Sequence, residues 1–98
     1  MGGKNREIIL RPQAQKDLDA LRPKSPQTIE EILTKIELLF EFPEMGPRMD
    51  RAYQGYRQIL CGNYRIIYEI ISLHRIEIAY IRHCSRQLGL RLLNSARD

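Results

Sequence analysis

Two periodicities divide this chain. From Glu7 to Leu10, and again from Tyr56 to Arg86, β-branched and aromatic residues run together or alternate with polar ones, the pattern of strands. Between those stretches apolar residues recur every three or four positions, which marks one face of a helix. Ala14, Leu18 and Leu21 predict a short helix that opens at Pro12, where a missing N–H costs nothing, and ends at Pro23-Lys24-Ser25-Pro26. Ile29, Ile32, Leu33, Ile36, Leu39 and Phe40 predict a longer helix with Ser25 as N-cap, and Glu30, Glu31, Lys35 and Glu37 on its solvent side. Phe42-Pro43-Glu44-Met45-Gly46-Pro47 stops that helix and opens a polar loop running to about Gln54. Its length makes it a candidate functional segment.

The second apolar stretch is cut by Gly62-Asn63, a tight-turn signal, and by the looser break Ser72-Leu73-His74-Arg75, so an antiparallel three-strand meander is predicted. A two-residue turn at Gly62-Asn63 pairs Cys61 with Tyr64 and Leu60 with Arg65. Side chains alternate between faces, so Tyr56, Gln58, Leu60, Arg65, Ile67 and Glu69 share one side. Arg57, Ile59, Cys61, Tyr64, Ile66, Tyr68 and Ile70 share the other, more apolar side, which belongs under the helices. Arg65 then stands mid-sheet on the open face, either paired with Glu69 or held for a ligand. Arg82 and His83 fall on opposite faces, and alternation does not say which of them joins Arg65. An imidazole titrates near neutral pH, so His83 is a candidate general acid or base. A lone histidine at a strand end is more often structural. Ser85 caps a last helix carrying Leu88, Leu92 and Leu93, with Arg86, Arg91 and Arg97 exposed.

Composition adds bounds. The chain has 98 residues, 43% of them hydrophobic, which suits a single domain over residues 1–98 with a small core. No apolar run approaches the roughly 20 residues of a membrane span, and the N-terminal residues lack a signal-peptide core. A soluble, cytoplasmic protein with no membrane partner is therefore expected. Cys61 and Cys84 are too few for a disulfide scaffold, and with His74 and His83 they lack the paired spacing of a zinc site. No metal or cofactor is expected. The net charge of +4 is uneven: residues 1–50 carry eight basic and nine acidic side chains, residues 51–98 eight and three. Every basic residue of the second half is arginine, whose planar fork pairs with phosphate or carboxylate. That bias suits a surface for nucleic acid or an acidic partner, or a solvated sheet edge.

Certain stretches, in this order, resemble the RelE/ParE superfamily of bacterial toxins from type II toxin–antitoxin systems. They are Arg11-Pro12-Gln13-Ala14 to Leu21, the helix end from Leu39 to Gly46, Tyr56-Arg57 through Gly62-Asn63-Tyr64-Arg65-Ile66-Ile67-Tyr68, and Ile81-Arg82-His83-Cys84-Ser85-Arg86-Gln87-Leu88. The resemblance implies an α+β, microbial-RNase-like fold: a curved antiparallel sheet, an N-terminal helical hairpin packed on one face, and a short C-terminal helix. It implies a cognate antitoxin that wraps the toxin, with operator DNA reached only through that complex, and a role in plasmid stabilization. Two activities are implied. RelE-like members cut mRNA in the ribosome without a metal. There Arg65 matches the phosphate-stabilising arginine, and Arg82 or His83 would handle a proton. ParE-like members inhibit DNA gyrase without nuclease activity. Tyr56 and Gln58 stand where RelE has lysines, and His83-x-x-Arg86 without a following tyrosine looks like the ParE branch, so gyrase inhibition is favoured. Arg57, Arg86, Tyr56 and Gln58 are the expected binding residues. A third reading is an arginine-rich nucleic-acid-binding domain, which lacks the paired stacking aromatics of common RNA-binding modules.

Overall fold

The computed structural model describes residues 6–85. Strand β1 (Glu7–Leu10) leads into α1 (Pro12–Leu21) and α2 (Pro26–Glu41), and a long loop then reaches β2 (Arg57–Cys61), β3 (Tyr64–Ser72) and β4 (Arg75–His83). The sheet order is β1-β4-β3-β2. The three later strands form the expected antiparallel meander, and β1 joins β4 in parallel, Ile8 beside Ile76 and Leu10 beside Ile78. The sheet is therefore mixed. The last helix and its residues Arg86, Leu88, Arg91, Leu92, Leu93 and Arg97 lie outside the described residues.

Helix α1 buries the three predicted positions, Ala14, Leu18 and Leu21, and α2 buries Ile29, Ile32, Ile36 and Leu39. Leu33 and Phe40 stay exposed. Each lies one residue beyond a buried position, about 100° further round the helix. Ser25 stands at the N-cap of α2 with Pro26 next, but its hydroxyl meets that of Thr28 at 2.6 Å and makes no bond to a backbone N–H. Both helices cover the face bearing Ile59, Cys61, Ile66, Tyr68, Ile76, Ile78 and Ile81, which completes the core.

The Gly62-Asn63 turn forms as read, with only Gly62 at positive φ (60°), as suits a turn with glycine at its first central position. The second break is equally tight: Ser72 pairs with Arg75, and the Ser72 hydroxyl accepts the His74 N–H at 3.1 Å. Two irregularities follow. The β3–β4 register shifts between Ile70 and Ser72, then shifts back between Ile67 and Tyr68, where β4 skips Ala79. A bulge residue reverses side-chain parity beyond it. Ile76 and Ile78 therefore reach the core together with Ile81, an odd step away.

After α2 the chain wraps the outer edge of β2. The Tyr68 hydroxyl donates to the Pro43 carbonyl at 2.7 Å and itself accepts the Gly46 N–H at 3.1 Å, under the helices. Pro47 then accepts the Gln58 N–H at 3.1 Å, and Met49 donates to Tyr56 at 2.9 Å. A single 3-10 turn, Arg51–Tyr53, carries the loop over the opposite face, and Arg51 takes the left-handed conformation there (φ 57°).

Candidate functional site

The sheet face away from the helices collects the side chains that alternation assigned to it, and the register supplies the rest. Arg65 pairs with Arg82, Ile67 with Tyr80, and Glu69 with Glu77. The Ala79 bulge is what brings Arg82 here. Strict alternation from Ile76 and Ile78 would have turned it toward the helices. His83 pairs with Tyr64, so it lies on the helix side, its ring edge-on to Tyr64 at 5.0 Å. Its Nδ1 accepts the Ser85 N–H at 3.0 Å and meets the Ser85 hydroxyl at 2.8 Å. An Nδ1 that accepts an amide proton leaves the ring proton of the neutral form on Nε2.

Three zones follow one another along the open face. At one end Arg11, which leaves β1 on this side, donates to Glu69 at 2.6 Å, to Glu77 at 2.8 Å and to the Tyr56 hydroxyl at 2.9 Å. Arg75 adds a second bond to Glu77 at 2.9 Å. The bond to Glu69 is the main reason the Arg11 guanidinium holds its proton more firmly than usual. The bonds from Arg11 and then Arg75 hold the Glu77 carboxyl below the ordinary glutamate range. Glu69 is thus engaged by Arg11, and the pairing with Arg65 does not form. In the middle Tyr53, Tyr56 and Tyr80 form an edge-to-face cluster with centroids 6.2 and 6.0 Å apart, and Ile67 beside them is fully buried. Tyr53 belongs to this face because the loop wraps the sheet edge, and no periodicity in the sequence signals that.

The other end is cationic. Arg65 donates to Gln58 Oε1 at 3.1 Å and to the Cys84 carbonyl at 3.4 Å, both uncharged acceptors, and its Nε is buried with no partner. Arg82 lies over the Tyr80 ring at 4.7 Å, with Nε 3.6 Å from Asp17 of α1. Asp17 also accepts the Ile81 N–H at 2.9 Å, a backbone donor that β1 is too short to reach. Asp17→Ala removes both roles. It is expected to destabilise the fold by about 1–3 kcal/mol, the cost of an unpaired buried N–H. Asp17→Asn, which keeps an acceptor, should recover most of the loss in urea unfolding.

Four of the sequence-predicted residues, Tyr56, Gln58, Arg65 and Arg82, share this face. Arg57 does not: it faces the helix side and donates to the Gly46 carbonyl at 2.8 Å and the Glu44 carbonyl at 3.3 Å, clasping the loop. His83 is on the helix side and Arg86 lies outside the described residues. Cys61 is buried under the helices, which pushes its thiol up. Cys84 follows β4, and His74 sits in the turn at the far end of the β3–β4 hairpin. Among the described residues no three His, Cys, Asp or Glu side chains gather as a metal site. Among them, too, no helix is long and apolar enough to cross a membrane.

Comparison with known proteins agrees with this architecture. Residues 8–88 match the profile of the family described as ParE toxin of type II toxin-antitoxin system, parDE. Among solved structures, the RelBE2 toxin–antitoxin complex of Mycobacterium tuberculosis is similar at TM-score 0.70 and 22% identity, covering 80% of this chain and 96% of that one. A YoeB/ParE toxin from Agrobacterium tumefaciens gives 0.69 and 17%, covering 79% and 96%. The chromosomal ParDE system of P. aeruginosa gives 0.68 and 15%, covering 83% and 98%. At these identities the structures establish the shared fold. No curated protein matches the chain.

Proposed function

Because the chain belongs to the ParE toxin family and is a toxin of a type II toxin–antitoxin system within the RelE/ParE superfamily, we propose that it arrests growth by binding and inhibiting DNA gyrase. It does so as a protein ligand with no chemistry of its own. It works in the cytoplasm, as a single domain, and is neutralised by a cognate antitoxin, as solved toxin–antitoxin complexes of the same fold suggest. Operator DNA is reached only through that complex.

One observation carries this reading. RNA cleavage needs a group that takes the 2′-hydroxyl proton and another that returns one to the leaving oxygen. The face holding Arg65 and Arg82 pairs them with no imidazole, since His83 is on the other side of the sheet. A guanidinium stays protonated throughout the working pH range and cannot supply that base. The carboxylates of that face, Glu69 and Glu77, are held by Arg11 and Arg75.

The alternative is RelE-like cleavage of mRNA on the ribosome. It is favoured by Arg65, whose guanidinium has only neutral acceptors and could take a phosphate. Two assays on the purified protein separate them. Under the gyrase reading, supercoiling of relaxed plasmid falls, message 5′ ends in cell-free translation are unchanged, and folded Arg65→Ala still arrests growth. New ends confined to translated message, lost in Arg65→Ala, would establish the nuclease instead and place its site on the face of Arg65 and Arg82.

A further inference from the structure

Each histidine of the chain stands two residues from a serine, and the two pairs are built differently. In Ser72-Leu73-His74 the serine hydroxyl accepts the His74 backbone N–H at 3.1 Å, and the imidazole takes no part in the bond. In His83-Cys84-Ser85 the hydroxyl meets the imidazole itself, 2.8 Å from Nδ1. The Ser85 N–H donates to the same Nδ1 at 3.0 Å. That nitrogen therefore presents its lone pair, and the Ser85 hydroxyl is the donor. The ring is placed by the strand: His83 pairs with Tyr64, whose ring it meets edge-on at 5.0 Å. Both His83 and Ser85 are exposed, so a reactant can approach the hydroxyl and Nε2 can exchange its proton with water. A serine hydroxyl is a weak nucleophile until a base within about 2.6–3.2 Å takes its proton. Here the base is in place, and the gyrase reading makes no use of it.

The charges along this part of the chain are cationic. Arg65 donates to the Cys84 carbonyl at 3.4 Å, Arg86 follows Ser85, and no acidic residue lies between Glu77 and Asp98 in the sequence. Such a setting attracts an anionic reactant. We propose that Ser85 is an acylation site, its hydroxyl attacking the carbonyl carbon of an acyl phosphate with His83 as the base. The bond from Oγ to that carbon forms, and the bond from the carbon to the phosphate oxygen breaks. The serine proton passes through Nδ1 of His83 to the departing phosphate, leaving an ester on Ser85 and hydrogen phosphate in solution. Attack falls on the carbonyl carbon, the uncharged electrophile of the donor, rather than on phosphorus with its ring of negative oxygens.

The test incubates the full-length protein with acetyl phosphate and follows each serine by peptide mass spectrometry, hydroxylamine lability separating serine esters from lysine amides. Ser85 is expected to be acetylated at least about tenfold faster than Ser72, an equally exposed serine whose neighbouring imidazole is not engaged. His83→Gln keeps a hydrogen-bond acceptor but supplies no base, and should slow Ser85 by at least about tenfold. If that variant does not fold, the ratio of Ser85 to Ser72 decides the matter. A ratio below about tenfold in either comparison, or phosphate instead of acetyl on Ser85, would overturn the proposal. The inference does not depend on the toxin reading, whose supercoiling assay is read separately.

Discussion

Gly46→Ala is expected to lower the unfolding temperature by roughly 12–24 °C, a loss of about 3 kcal/mol in a domain of this size. The reason is contact rather than backbone freedom. A Cβ at residue 46 would lie 2.5 Å from the Gln58 carbonyl oxygen, 2.7 Å from Ile59 Cγ2 and 2.9 Å from the Tyr68 hydroxyl. The first of these belongs to the β2 backbone, which is held in the sheet and cannot yield as a side chain would. Relief comes only by lifting the loop, which breaks the Gly46–Tyr68 bond and strips the Gly46 carbonyl from Arg57. Tyr68, fully buried, would lose one of its two partners. Tyr68→Phe alone should cost about 1–3 kcal/mol, because the Gly46 N–H and the Pro43 carbonyl lose their partner. The double variant should fall short of the sum, since both changes break the same hydrogen bond. Thermal unfolding followed by circular dichroism measures all three. A Gly46→Ala protein melting within about 5 °C of the parent would show that the loop is not held as described.

The second large effect is at Arg11. Arg11→Met keeps most of the side-chain volume and removes the cation that Glu69 and Glu77, cross-strand neighbours, both bind. Like charges opposite each other in a sheet repel. The group is part-buried, so screening keeps the cost between that of a surface pair and a buried one, on the order of 2 kcal/mol at pH 7. The pH dependence gives the sign. Arg11, then Arg75, depress the Glu77 carboxyl in the folded state, so that stabilisation is present above the unfolded glutamate value of about 4.3 and is lost as pH falls through the depressed value. The parent should therefore weaken on acidification, and the gap to Arg11→Met should narrow as pH falls below about 4.3 and through the depressed Glu77 value. Urea midpoints across that range test it. A gap independent of pH would mean that Arg11 acts by packing alone.

The sequence determined what depends on neighbours a few residues apart. Helical spacing located both helices and most of their buried positions. Gly62-Asn63 located the β2–β3 turn, and two-residue alternation from that turn placed Arg65, Gln58 and Tyr56 together on the open face. Where alternation was interrupted, the reading stopped. The Ala79 bulge reverses parity within one strand, and no residue around Ile78-Ala79-Tyr80 marks it, so which of Arg82 and His83 faces Arg65 was decided by tertiary pairing. The partner of Glu69 was likewise beyond reach. Arg65 lies four residues away, yet the cation that takes it is Arg11, 58 residues distant, delivered by the parallel addition of β1 at the opposite sheet edge. Tyr53 and Gly46 matter because the loop wraps β2, and that path is set by the Tyr68 hydroxyl reaching up from the core. Local periodicity records which way a side chain points; only the closed sheet and its wrapping loop decide what it meets there.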